Sequence, residues 1–145
     1  MKTSKNGIEF IKSFESFKSN PYLCPAGVAS IGYGNTYYEN GTKVKLTDNP
    51  ISIERADELF AAILKKFEDK VNNRLTVEVS QNQFDAIVSH TYNTGGSDTL
   101  FRLINYGELE TAAIWIRTRY TTGGGAILKG LVRRRKEESI LFTKK

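Results

Sequence analysis

The 145-residue chain carries 21 Lys and Arg against 16 Asp and Glu, a formal charge of +5. A hydrophobic fraction of 39% together with 12 glycines excludes wholesale disorder and suits one compact domain. One Cys excludes an intramolecular disulfide, and Cys24 with His90 alone is too few ligands for a zinc centre, so neither a staple nor a metal or other cofactor is expected.

The first seven residues are basic, yet Glu9, Lys12 and Glu15 follow, and no continuous apolar stretch marks a signal or anchor. No window of the chain reaches membrane-spanning length, so no membrane insertion is expected. Ile8, Ile11 and Phe14, with Phe10 beside them, are spaced for a helix over about 4–14, which delivers Glu15 at its C-terminal end. From 20 to 46, prolines and glycines alternate with Val28, Ile31, Tyr33, Tyr37, Tyr38 and Val44, a pattern of short strands in which Asn40-Gly41 is a hairpin turn.

Asp48-Asn49-Pro50 breaks the chain, and Ser52 is the expected N-cap of a long helix with Ala56, Leu59, Phe60, Ile63, Leu64, Phe67 and Val71 on its core face. Ser80 and Gln83 form a capping box ahead of Phe84, Ile87 and Val88, and Gly95-Gly96 stops that helix. Two shorter helices are expected over 97–106 and 108–120, with Trp115 placed in the core. Gly123-Gly124-Gly125 reads as a mobile connection; it lacks the Lys-Ser/Thr ending of a phosphate-cradling loop. A last helix over 130–142 is expected to anchor on Leu131, Ile140 and Leu141. It carries Arg133-Arg134-Arg135-Lys136, which Glu137 and Glu138 partly neutralise.

The balance of charge, with a pI of about 9.3, implies attraction to nucleic acid, acidic lipid or an anionic bacterial wall. No DNA-reading motif surrounds the arginine run, so a nucleic-acid partner is not expected. The most informative spacing lies near the N-terminus. Eight residues separate Glu15 from Cys24, and five separate Cys24 from Ser30, which opens Ser30-Ile31-Gly32-Tyr33-Gly34-Asn35. Pro21, Pro25 and Gly27 prevent one helix from carrying an acid, a thiol and a hydroxyl together, so these converge only across a cleft.

These intervals resemble those of the phage-type lysozymes, the endolysins of glycoside hydrolase family 24. There a Glu, an Asp and a Thr stand at the same intervals before a segment close to Ile-Gly-Tyr-Gly-His. The present chain has Cys24 for the Asp, Ser30 for the Thr and Asn35 for the His. Two further blocks match in order: residues 81–89 running on to Asn93 and Gly95, and Gly130-Leu131-Val132-Arg133-Arg134-Arg135.

The resemblance implies a lysozyme-like α+β fold. A small β-containing lobe, about 16–50, and a mainly helical lobe, about 1–15 and 51–145, would be joined by a long helix with a groove between them. It implies a muramidase acting on bacterial peptidoglycan, with Glu15 as general acid and Cys24 and Ser30 completing the catalytic set. Tyr22, Gly32, Asn93, Tyr120 and Arg134 are its expected saccharide contacts. It also implies accumulation in the host cytoplasm, release by a partner such as a holin, action at the cell wall and a monomeric chain.

Each residue has a plainer reading beside this one. Phe14, Phe17, Tyr22 and Leu23 are candidates to shield Glu15 from water, but a Glu at a helix end is ordinarily exposed. A protonated thiol is a poor base and a thiolate a strong nucleophile, so Cys24 reads as nucleophile, as water-activating base, or as an inert apolar residue. Ser30 holds a water or merely starts a strand. Asn93 binds saccharide or ends a helix, His90 is packed or superficial, and Gly32 and Gly34 serve tight turns or close approach of a sugar. A non-catalytic wall-binding protein is the alternative function.

Overall fold

The computed structural model describes residues 1–145. In chain order it contains α1 (Lys5–Glu15), β1 (Lys18–Leu23), β2 (Ala29–Gly32), α2 (Ile53–Arg74), α3 (Gln81–Thr94), α4 (Asp98–Asn105), α5 (Leu109–Thr118), β3 (Thr122–Gly123), β4 (Ala126–Ile127) and α6 (Lys129–Thr143). The chain forms two compact units, residues 12–66 and residues 1–11 with 67–145, and α1 and α2 each contribute to both. No helix is long and apolar enough to cross a membrane.

In the unit of residues 12–66, β1 and β2 pair antiparallel with Tyr22 opposite Ser30 and Leu23 opposite Ala29. The register shifts between Lys18 and Tyr22, where Pro21 has no N–H to give a ladder. Tyr37 bridges Lys43 around the expected turn at Asn40-Gly41, with the Tyr38 N–H donating to the Thr42 carbonyl at 2.9 Å. Ile31, Val44 and Leu59 form the centre of this unit, covered by Ala29, Tyr38, Ile51 and Ile63. Ser52 caps α2 by accepting from the Arg55 N–H at 3.1 Å, and the periodicity reading of α2 holds: Ala56, Leu59, Phe60 and Leu64 are buried.

In the other unit, Ser4 caps α1, accepting from the Gly7 N–H at 3.0 Å and itself donating to the buried Asp85 of α3. The capping box of Ser80 and Gln83 starts α3, and Gly95 in the left-handed conformation closes it. α6 packs on α3 and α5, and α4 on α5. Trp115 is half-buried, not fully in the core: its indole N–H donates to Ser97 Oγ at 3.1 Å and the Arg119 guanidinium lies over its ring.

Two expectations for this unit are corrected. The triple glycine is the turn of a hairpin: Thr122 pairs with Ile127 and Gly123 with Ala126, leaving Gly124 (φ +59°) and Gly125 (φ +81°) as the two-residue loop. Positive φ at both positions gives the turn whose twist matches two antiparallel strands, which glycine adopts without strain. In α6, Ile140 is 57% exposed and anchors nothing; Arg134, Arg135, Glu138, Ser139 and Phe142 are the buried residues. The helix turns its charged face inward because opposite charges at i, i+3 and i, i+4 satisfy one another there.

Candidate active site

Glu15 is the last residue of α1, half-buried, and Ser16 at φ +29° turns the chain from the helix into β1. Its carboxylate lies on the backbone of the segment that follows β2. A methyl group added at Gly34 would overlap Glu15 Oε2, and Gly34 itself has φ +78°. The tight loop that presents Gly34 is closed by paired bonds of 2.9 Å between Ile31 and Asn35 backbones. The close approach foreseen for a sugar at Gly34 is therefore used by the chain's own acid. Gly32, buried at the end of β2 opposite Lys18, serves the turn.

Cys24 is half-buried at the start of the β1–β2 connection. Its N–H donates to the Val28 carbonyl at 3.0 Å and its carbonyl accepts from the Gly27 N–H at 2.8 Å. Ser30, 1% exposed, donates its hydroxyl to the same Val28 carbonyl at 3.1 Å. One backbone oxygen thus fixes the thiol-bearing residue and the hydroxyl together, and the five-residue spacing between them follows from this turn.

Tyr22 shares a face of the ribbon with Ser30, its cross-strand partner. Burial pushes its phenol above the ordinary range, and the charges of Glu15 and then Cys24 add to the shift, so both groups lie within electrostatic reach of one phenol. Phe14 and Phe17 are half-buried, whereas Leu23, expected to shield Glu15, is 57% exposed because strand alternation turns it away from Tyr22.

The remaining expected contacts belong to the other unit. Asn93 is exposed on the last turn of α3, and its Oδ1 accepts from Arg135 Nη2 at 2.8 Å. Tyr120, exposed and in the left-handed region at φ +59°, meets the ring of His90 edge-on with centroids 5.4 Å apart. Arg134, 3% exposed, donates to Glu138 Oε2 at 3.2 Å and to the Ser89 carbonyl at 3.2 Å. Ser89 Oγ donates to Glu138 Oε2 at 2.6 Å, and Arg135 Nε stands 2.8 Å from Glu138 Oε1. Burial raises the Glu138 carboxyl, while Arg135 and Arg134 pull it back down. Arg135 and the Val28 carbonyl were not among the expected site groups. A backbone oxygen has no sequence signature, but Arg135 does: it stands three residues before Glu138 and Arg134 stands four before it, the two spacings that reach one carboxylate along a helix.

His90 is packed, not superficial. Burial, then Arg135 and Arg134, hold it down to about 3, and Thr94 Oγ1 stands 3.5 Å from its Nδ1. The folded state thus binds the His90 proton more weakly than the unfolded chain, whose His titrates near 6.5. The stability this provides is complete above pH 6.5 and is lost as pH falls toward 3. Urea titrations at pH 4, 5, 6 and 7 are expected to show wild type losing about 1.4 kcal/mol per pH unit more than His90→Gln below pH 6. Equal slopes would mean that the imidazole gains water on protonation.

A helix ending in an acid, a short ribbon bearing a thiol and a hydroxyl, then a long helix and a helical unit define a lysozyme-like α+β fold. Residues 12–138 match the phage lysozyme family, and the chain belongs to that family. It is 36% identical to the endolysin of Bacillus phage B103 over 98% of its own length. It spans about half the length of the Bacillus phage endolysins it matches, 54% in that case. Among solved structures it is similar to the endolysin from Escherichia coli O157:H7 phage FAHEc1, with TM-score 0.86, 31% identity and coverage of 99% of this chain and 94% of that one. It is similar also to the muramidase domain of SpmX from Asticaccaulis excentricus, with TM-score 0.81, 32% identity and 99% of each chain covered.

Proposed function

We propose that the chain is a muramidase that hydrolyses the β-1,4 bond between N-acetylmuramic acid and N-acetylglucosamine in peptidoglycan, as the lytic enzyme of a phage or prophage. The observation that carries this reading is the seating of the Glu15 carboxylate on Gly34, in the same unit as a turn that fixes Cys24 and Ser30 on one carbonyl. Glu15 gives its proton to the leaving glycosidic oxygen. The Ser30 hydroxyl, its hydrogen committed to Val28, keeps lone pairs with which to accept from a water. Cys24 takes the second role, either forming a bond to the anomeric carbon or directing water to it.

Asn93 and Tyr120 supply amide and aromatic surface for sugar rings, and the basic chain adheres to an anionic wall. The protein works as a monomer, gathers in the host cytoplasm and reaches the wall through a separate membrane-permeabilising protein such as a holin. The test is digestion of purified peptidoglycan with the products weighed. New N-acetylmuramic acid reducing ends are expected, and Cys24→Ala is expected to remove most of the rate. The intact mass of wild type during turnover then separates the two roles of the thiol: a saccharide adduct marks the nucleophile. Well-folded protein that leaves the wall uncut would replace this reading with a non-catalytic wall-binding protein.

A further inference from the structure

Asn93 is exposed, yet its carboxamide is not free to turn. Its Oδ1 accepts at 2.8 Å from Nη2 of Arg135, a side chain with no exposure whose Nε stands 2.8 Å from Glu138 Oε1. A guanidinium has hydrogens to give and no lone pair to accept with. The inverted amide would set N–H against N–H, and Arg135 is held in place by its ion pair with Glu138, to whose Oε2 its Nη2 also donates at 3.3 Å. The two ends of an Asn amide have the same shape, so its sense is decided by such a partner alone.

We infer that Arg135 is a positioning residue that locks the sense of the Asn93 amide, so that Asn93 meets a ligand with N–H donors only and selects an acceptor, the acetamido carbonyl of a 2-acetamido sugar. The amide oxygen is engaged by the buried Arg135, which leaves Nδ2 as the end that meets a ligand. Among the groups of a glycan strand, the acetamido oxygen is the strongest neutral acceptor, whereas hydroxyls serve a donor or an acceptor equally. Asn93 therefore favours N-acetylated rings, whose acetamido oxygen is the stronger acceptor, over plain hexoses. This rests on the saccharide-binding reading above.

The experiment titrates tetra-N-acetylchitotetraose, a soluble glycan of 2-acetamido sugars, into wild type, Asn93→Asp, Asn93→Ala, Arg135→Lys and the Arg135→Lys/Asn93→Ala pair. The side-chain NH2 resonances of Asn93 are followed by NMR. In wild type those resonances are expected to move on binding. Asn93→Asp keeps the acceptor for Arg135 but loses the donor, so its affinity is expected to fall at least tenfold, no less than that of Asn93→Ala, with thermal stability held. An amide of the opposite sense would accept from sugar hydroxyls, and Asp would then bind as well as Asn; that result overturns the inference.

Arg135→Lys is expected to weaken binding in wild type and to do nothing further in the Asn93→Ala background. An equal loss in both backgrounds would make Arg135 structural only and overturn its positioning role. Should Arg135→Lys fail to fold, the Asp-against-Ala comparison and the NH2 shift decide alone. Wild type that neither binds the glycan nor cuts peptidoglycan sinks the muramidase reading and this one with it. Wild type that cuts peptidoglycan while Asn93→Asp binds normally sinks only this one.

Discussion

Glu15→Gln is expected to lower kcat on purified peptidoglycan by about 10²–10⁴-fold while leaving KM and the thermal midpoint close to wild type. The amide fills the same space on Gly34 and has no transferable proton, so the loss falls on the transition state. Gly34→Ala reaches the same carboxyl from the backbone side. Its methyl overlaps Glu15 Oε2, and φ +78° strains any residue with a Cβ by roughly 1–2 kcal/mol. The acid must move, and a displacement near an ångström costs on the order of 10²-fold. Initial rates of wall clearing, read beside thermal melts, separate the two variants: the first loses rate alone, the second loses rate and stability. A Glu15→Gln protein with more than a tenth of wild-type kcat would remove Glu15 from the role of proton donor.

How far this site was legible before the fold depends on the kind of group. Glu15, Cys24 and Ser30 are singled out because their intervals resemble those of the phage-type lysozymes; in the fold, a helix end and a five-residue turn occupy those intervals. The Ser80–Gln83 capping box, the Asn40-Gly41 turn and the buried stripe of α2 were readable for a different reason: each is a local pattern with one physical solution.

What stayed hidden is what depends on distant partners. Hydropathy places Arg134, Arg135 and Glu138 outside and Ile140 inside, yet the structure does the reverse. The reversal becomes intelligible only once Ser89 and Asn93 of α3 are seen to hydrogen-bond the charged cluster, Ser89 to Glu138 and Asn93 to Arg135. Likewise the oxygen that unites Cys24 with Ser30 belongs to Val28, a residue chosen for its side chain and used for its backbone. Gly123-Gly124-Gly125 looked loose because glycine permits freedom, although in this hairpin the same permissiveness admits two successive positive φ angles.

The charged cluster of α6 also yields the largest expected change in stability. Glu138→Gln leaves two guanidiniums buried without a countercharge, and removing one member of a buried ion pair costs about 3–5 kcal/mol. A fall of roughly 6–20 °C in thermal midpoint is expected, with a matching drop in the urea midpoint. Replacing the whole cluster is a different matter. In Arg134→Met/Arg135→Met/Glu138→Leu with Ser89→Ala, no buried charge is left alone, and such apolar replacements are often neutral or stabilising. Stability is expected to return to near wild type, but saccharide affinity is not, because Asn93 no longer has the donor that engages its oxygen. A variant that regains the melting temperature without the affinity would show that four buried polar residues are kept for the direction of one exposed amide. A variant that regains both would make the cluster scaffolding and release Asn93 from Arg135.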